Sequence, residues 1–309
     1  MNEEIIVSIN CLVYNHEPYL KQCFEGFVMQ KTNFKFEVLI HDDASTDGSV
    51  EIIKEYTDKY PDIFKPYFQK ENQYSQGNGF VGGKINRERA KGKYIALCEG
   101  DDYWIDPLKL QKQVDFMENH NEYTLCGSNG IILWDNGYKE PKYFNNVFKT
   151  REVLPEEIIG HWFFPTASLL VRKTIYDNYP DWTKKIYSGD QTLTLICLSK
   201  GKICCIGNTT CVYRRVKDGN SVSNMVDKKK HFVLKQHILL YSEYNDYTAG
   251  RFSNHITSHI NRLKTIIEID NKETEFQKSL KKSILAAFLY DPVYFLRKMH
   301  GKVYRIIKI

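Results

Sequence analysis

No apolar run in this 309-residue sequence approaches the roughly 18 residues that a membrane-spanning helix needs. Its eight cysteines (Cys11, Cys23, Cys98, Cys126, Cys197, Cys204, Cys205 and Cys211) form no CxxC pair and no Cys/His ligand spacing, which argues against a zinc knuckle or a dithiol redox motif. No G-x-G-x-x-G turn follows the first apolar stretch and no Walker lysine is present, so a dinucleotide oxidoreductase or a P-loop NTPase is disfavoured. Internal repeats and low-complexity segments are absent. Excess positive charge is modest as well: the net +5 is dispersed and too weak to argue for nucleic acid as a partner. Met1-Asn2-Glu3-Glu4 does not read as a secretory signal, so a reducing cytoplasm is the expected compartment, with cysteines reduced in the core.

What is present is an ordinary globular composition, 42% apolar and 26% charged, with aromatics raised to 14% by 21 Tyr and 17 Phe. Ile5–Val13 reads as a buried strand because β-branched residues run together with little alternation. Leu20, Cys23, Phe24, Phe27 and Val28 then fall at helical spacing behind Pro18. Phe36–Ile40 is a second strand, followed by a helix with Val50, Ile53, Tyr56 and Tyr60 on one face. A short strand over 65–69, a helix carrying Arg87 and Arg89, and the strand 94–98 continue the alternation, and Asp106-Pro107 is expected to start the next helix. The pattern predicts an α/β fold, a mostly parallel sheet with helices on both faces and ligands at its carboxyl edge. The loops 14–17, 41–48 and 99–104 would all meet there.

The sharpest signal is Tyr94-Ile95-Ala96-Leu97-Cys98-Glu99-Gly100-Asp101-Asp102, an apolar strand ending in three carboxylates within four positions. Unpaired carboxylates do not belong inside a strand. Opening a loop, they suit a hard divalent cation and the phosphates it carries; a solvated acidic turn is the plainer alternative. Asp43-x-Ser45-x-Asp47-Gly48 superficially has calcium-loop spacing, but Lys54 occupies the position where an EF-hand needs Glu.

Taken in order, Val7-Ser8-Ile9 with Tyr14-Asn15, Val38–Asp47, Ala90–Ile95 and Glu99-Gly100-Asp101-Asp102 resemble the family 2 inverting glycosyltransferases of the GT-A fold, of the bacterial polysaccharide-biosynthesis type. The likeness covers about residues 5 to 105 and continues more weakly to about 215. It implies a nucleotide-diphosphate sugar donor (UDP-sugar favoured), Mg2+ or Mn2+, and one-step transfer of a hexose or N-acetylhexosamine with inversion. On this resemblance Tyr14, Asp42, Asp43, Glu99 and Asp101 would bind the nucleotide, and Asp101 and Asp102 the metal; Arg87 or Lys84 would contact the nucleotide's phosphates, with a plain surface charge as the alternative. Glu99 stands where Asp is more usual, and Leu12-Val13 replaces a common Pro-Thr. Asp190, in Gly189-Asp190-Gln191 ahead of a helix, matches the acidic residue that takes the acceptor's proton; a helix cap is its structural alternative. Trp162, Phe164 and Thr166 would line the acceptor cleft. Tyr213-Arg214-Arg215 with Asp218–Ser223 resembles a loop that closes over the diphosphate.

Between these motifs the sequence predicts short strands at 124–126, 131–134, 168–171, 203–206 and 211–213. Residues 1–225 are expected to form the transferase domain and 226–309 a helical region. Its last 30 residues combine apolar positions with Lys281, Lys282, Arg297, Lys298, Lys302, Arg305 and Lys308, a pattern suited to an anionic membrane surface or to docking on the domain. The expected partners are a nucleotide-diphosphate sugar and a glycan or lipid-linked acceptor at the inner face of the cell membrane. A nucleotidyltransferase or a non-catalytic nucleotide-sugar-binding protein are the alternatives. The sugar, the linkage and whether the chain forms a homo-oligomer are not set by the sequence.

Overall fold

The computed structural model describes residues 4–137, 139–215 and 230–271. Its first half is the expected alternation: β1 (Ile5–Val13), α1 (Glu17–Val28), β2 (Lys35–Asp42), α2 (Ser49–Lys59), β3 (Phe64–Phe68), α3 (Val81–Arg89) and β4 (Tyr94–Leu97). These strands lie side by side as β3-β2-β1-β4, all parallel. Val7, Ile9, Cys11, Val38, Ile40, Tyr94 and Ala96 are buried, which is why the strands read as continuous apolar runs rather than alternating ones. Val13 pairs with Asp42, so β1 and β2 end level and release their loops at one edge.

Phe24 shows what fastens α1 to this layer. Its ring meets Tyr56 and Phe64 edge-on at centroid distances of 5.1 and 5.0 Å, and it is fully buried. Truncating such a side chain to alanine costs about 3–5 kcal/mol.

Beyond β4 the sheet departs from the simple alternation. β5 (Tyr103–Trp104), β6 (Tyr123–Trp134), β7 (Lys142–Tyr143), β8 (Arg151–Val153), β9 (Leu170–Arg172) and β10 (Lys202–Arg215) complete ten strands among the described residues, eight of them in the order β3-β2-β1-β4-β9-β6-β10-β5, with β7 paired to β6 and β8 to β10. The longest ladders are parallel; the antiparallel pairings of β5, β7, β8 and β9 are short. The segments expected at 124–126 and 131–134 are one strand, β6. Those at 203–206 and 211–213 are likewise one strand, β10, with irregularities at 206/209 and 209/211.

The remaining helices are α4 (Lys109–Asn119), α5 (Pro155–Ile158), α6 (Gly189–Lys200), α7 (Lys230–Tyr247) and α8 (Ser253–Asn271). α4 begins two residues after Pro107 because Asp106 forms a turn instead: its carbonyl accepts the Lys109 N–H and its carboxylate the Leu108 N–H. All eight cysteines are buried and free. Among the described residues no helix is long and apolar enough to cross a membrane. The chain divides into two compact units between Thr257 and Ser258, and α7 belongs wholly to the first. The basic tail beyond 271 lies outside the described residues.

Candidate functional site

The first two loops are built as one body. The Asn15 N–H donates to Ser45 Oγ (2.9 Å), the His16 N–H to Ser49 Oγ (2.9 Å) and the Thr46 N–H to Asn15 Oδ1 (2.7 Å). Helix starts leave backbone N–H groups without partners, and here the two helices supply each other's. Glu17, the first residue of α1, accepts the Gly48 N–H ahead of α2 (2.8 Å), while Asp47 accepts the N–H of Glu17 (3.0 Å). The cross-linking holds Asn15 and Ala44 in the left-handed region, at φ 54° and 59°.

Within that body Asp42 and Asp43 have different work. Asp43 accepts the N–H groups of Gln73 (2.8 Å) and Tyr74 (2.9 Å), one on each carboxylate oxygen, and its carbonyl takes Asn72 Nδ2 (3.1 Å). Asp42 is 1% exposed. Its Oδ2 accepts the Ser45 N–H at 3.0 Å, but its Oδ1 is buried with no partner. An unpaired buried carboxylate oxygen is costly, and this one belongs to a residue lining an open cleft of about 520 Å³ with Ser45, Lys54, Phe68 and Lys70. Tyr14, at the end of β1, is 40% exposed.

The acidic loop runs from β4 to β5, which pairs with β10 at Trp104–Cys211. Gly100 lets it pass close beneath the first loop: its N–H donates to the Leu12 carbonyl (3.0 Å), and a Cβ there would lie 2.7 Å from His16 Nδ1. Burial, followed by the charges of Asp101 and Asp190, pushes the Glu99 carboxyl up to about 8. Burial and then Asp101 and Glu99 also raise Asp102. Asp102 Oδ1 accepts the Arg214 N–H (2.8 Å), Arg214 Nε donates to the Asp101 carbonyl (2.9 Å), and the guanidinium lies over the rings of Tyr19 (4.8 Å) and Tyr103 (5.1 Å).

The loop thus concentrates oxygen donors and negative charge, which fits a hard divalent cation such as Mg2+ or Mn2+. Among the described residues no three His, Cys, Asp or Glu side chains converge into a metal cage, and one oxygen of Asp102 is already engaged. The chemistry that matches is an ion held by one or two carboxylates and completed by substrate phosphates.

Asp190 sits in the first turn of α6, whose cap residue is Ser188. Its Oδ1 takes the Gln191 N–H (2.7 Å), and Thr166 Oγ1 approaches its Oδ2 at 3.4 Å. Asp190, Gln191, Trp162 and Phe164 line one small cleft. Trp162 is 47% exposed and braced edge-on by Phe144 (5.0 Å) and Tyr213 (5.2 Å). Phe164 is buried against Gly127, where a Cβ would come 2.3 Å from the ring, so it supports the cleft from beneath.

The structure therefore groups Glu99, Asp101 and Asp102 in one loop, with Asp190 acting on Glu99, and ties Tyr14's loop to that of Asp42 and Asp43. Arg87 is placed differently. Its guanidinium lies over the Tyr176 ring (4.7 Å), in the space left by Gly83, and the leading charges acting on Glu99 are Asp101 and Asp190 instead. Lys84, a second candidate for the phosphates, pairs with Glu88 on the surface. Arg214, expected in a closing loop, fastens the acidic loop; the rest of that closing loop lies outside the described residues. Gln22, Tyr19 and the 72–74 backbone join the site with no signal in the sequence, because none carries a motif of its own.

Four likenesses to known proteins accompany this geometry. Residues 8–179 match the family described as glycosyl transferase family 2. An uncharacterized protein of Mycobacterium tuberculosis is 34% identical over 231 residues, which is 75% of this chain and 65% of that relative's length. Two solved structures share the fold. TarS 1-349 of S. aureus in complex with UDP-GlcNAc has a TM-score of 0.60 and 19% identity over 82% of this chain and 73% of that one. The mannosyltransferase PcManGT of Pyrobaculum calidifontis, in complex with GDP-Man and Mn2+, has a TM-score of 0.58 and 12% identity over 99% and 86% of the two chains.

Proposed function

This chain belongs to glycosyl transferase family 2, and from that premise we propose that it transfers a sugar from a nucleotide-diphosphate donor to a hydroxyl of a glycan or lipid-linked glycan. The observation that supports the reading is that the acidic loop and Asp190 share one turn as their anchor: Leu97 and Trp104, either side of the loop, donate to the Leu169 and Ala167 carbonyls, and Thr166 of the same turn reaches Asp190. The acidic loop suits the donor's diphosphate, and Asp190 the acceptor.

The unpartnered Oδ1 of Asp42 would accept an N–H from the base, such as uracil N3–H; the UDP-GlcNAc bound by TarS is what favours a UDP-sugar. Asp101, assisted by Asp102, would hold Mg2+ or Mn2+, which supplies positive charge to the leaving diphosphate. Arg214 keeps the loop that carries both carboxylates against α1 and β10. Trp162 offers an aromatic face to an acceptor sugar, and Thr166 orients Asp190. Asp190 then takes the acceptor hydroxyl's proton as the new C1–O bond forms and the C1–O bond to the diphosphate breaks, inverting the anomeric carbon.

A thermal-shift panel of UDP, GDP, CDP, TDP and their sugars, with and without Mn2+, tests the reading. Ligand at 100 times its Kd adds about 2.7 kcal/mol to native stability. Stabilisation by one nucleotide that needs the metal and is lost in Asp101→Ala is the expected result. No nucleotide effect under any condition would return the chain to a scaffolding role and the acidic loop to a solvated turn.

A further inference from the structure

Helix α7 follows the proposed catalytic residues in sequence and carries none of them, yet it touches the chain on both flanks of Asp190. Phe232 and Gln236, four residues apart, share one side of the helix. Phe232 meets the Tyr187 ring edge-on at 5.8 Å, and Gln236 Oε1 accepts the Tyr187 N–H at 3.2 Å. His237 is held below its ordinary range by burial and feels the charge of Asp190.

The decisive contact is at Tyr241. Its hydroxyl oxygen accepts two hydrogen bonds of 2.7 Å, from Gln191 Nε2 and from the N–H of Gly160. Gln191 directly follows Asp190. Gly160, in the left-handed region at φ 85°, starts the segment that ends in Trp162 and Phe164. The side chain of Tyr241 is fully buried and Gln191 nearly so, so neither bond is exchanged for water without cost.

We propose that Tyr241 is a positioning residue for the transfer, its hydroxyl fixing the spacing between Asp190 and the acceptor-side segment 160–164. This rests on the transferase reading above. The chemistry demands such a tie: the base and the acceptor hydroxyl must meet within hydrogen-bond reach, and displacing a reacting group by about 1 Å can cost on the order of a hundredfold in rate. Asp190 and Trp162 come from elements 28 residues apart in sequence, and the Tyr241 oxygen is bonded to the neighbourhood of both.

Tyr241→Phe removes the hydroxyl and leaves the ring. In the full-length protein we expect hydrogen exchange to quicken in peptides spanning 159–164 and 187–192 together, with 42–49 and 99–104 unchanged. With UDP-GlcNAc and with GDP-mannose, each with Mn2+, nucleotide release into water should fall about tenfold while donor Kd stays within about twofold. Gln191→Met removes one of the two bonds and should act in the same direction but more weakly, and the double variant should be no worse than Tyr241→Phe, which already removes the bond they share. Unchanged exchange in 187–192, or quickened exchange with turnover intact, overturns the positioning role. A wild-type protein that neither binds nor cleaves any donor overturns the transferase reading instead, and an exchange change confined to those two segments would then stand as a structural tie alone.

Discussion

Arg214 holds Asp102 through its own backbone: the Arg214 N–H reaches Asp102 Oδ1 at 2.8 Å while the side chain turns away to the Asp101 carbonyl, Gln22 and two tyrosine rings. The backbone bond survives substitution and the guanidinium contacts do not. Arg214→Ala should cost about 2 kcal/mol in urea unfolding and weaken Mn2+-dependent nucleotide binding. Arg214→Lys should recover little, because an ammonium cannot stack between rings and fork to two acceptors. Full rescue by lysine would show that charge alone matters there.

Asp42 and Asp43 are adjacent and should fail in opposite ways. Asp43→Asn replaces an acceptor of the Gln73 or Tyr74 N–H by a donor, so stability should drop by about 1–3 kcal/mol. Asp42→Asn should instead lower nucleotide affinity by roughly tenfold or more, because the base loses its acceptor, with a smaller stability loss. Paired melts and nucleotide titrations decide it. Equal effects on both quantities would merge the two roles.

Asp190→Asn preserves size and removes the base. Transfer and donor hydrolysis should fall by about 10²–10⁴-fold with donor Kd unchanged, read from nucleotide release and from titration. Persisting transfer would move the base elsewhere.

Lys109 gives a prediction about pH. It is fully buried, donates to Gln113 Oε1 at 2.7 Å and lies 4.3 Å from the centre of the Trp104 ring. The groups facing it are the Cys211, Cys98 and Cys126 thiols and Asp106, and burial lowers its pKa from 10.5 to about 8. Below pH 8 both folded and unfolded chains keep the proton, and the burial penalty is fully present. Between pH 8 and 10.5 the folded chain gives it up first, so the penalty fades as pH rises. Relative to Lys109→Met, the wild type should therefore gain about 3 kcal/mol from pH 7 to 10.5. Urea unfolding of both proteins at several pH values measures the difference, and parallel curves would refute it.

The half of the fold that was legible is the half whose signals are local. β1, β2 and β4 are buried on both faces, so their apolar runs stand out, and acidic residues at their ends mark the functional edge. Gly127-Ser128-Asn129-Gly130 reads as a break but lies inside β6, because Phe164 and Pro165 fill the space where side chains would be. The same limit applies to the site. Asp42, Asp101 and Asp190 carry readable motifs; Tyr241 does not, since its importance lies in two long-range bonds spanning 50 and 81 positions. The placement of Arg87 was not legible, because a basic residue near the motif gives no sign that it will lie over Tyr176.

The mutual capping of α1 and α2 bears on how donor choice can be altered. Glu17 serves the start of α2, and Asp47 serves the start of α1. A loop transplanted alone from a relative with another nucleotide preference would arrive without its opposite number, leaving one helix start bare and Asn15 or Ala44 without its restraint. Respecificity by grafting therefore calls for a two-part cassette, residues 14–17 together with 42–49, and variation in one half should be tolerated only alongside matching variation in the other.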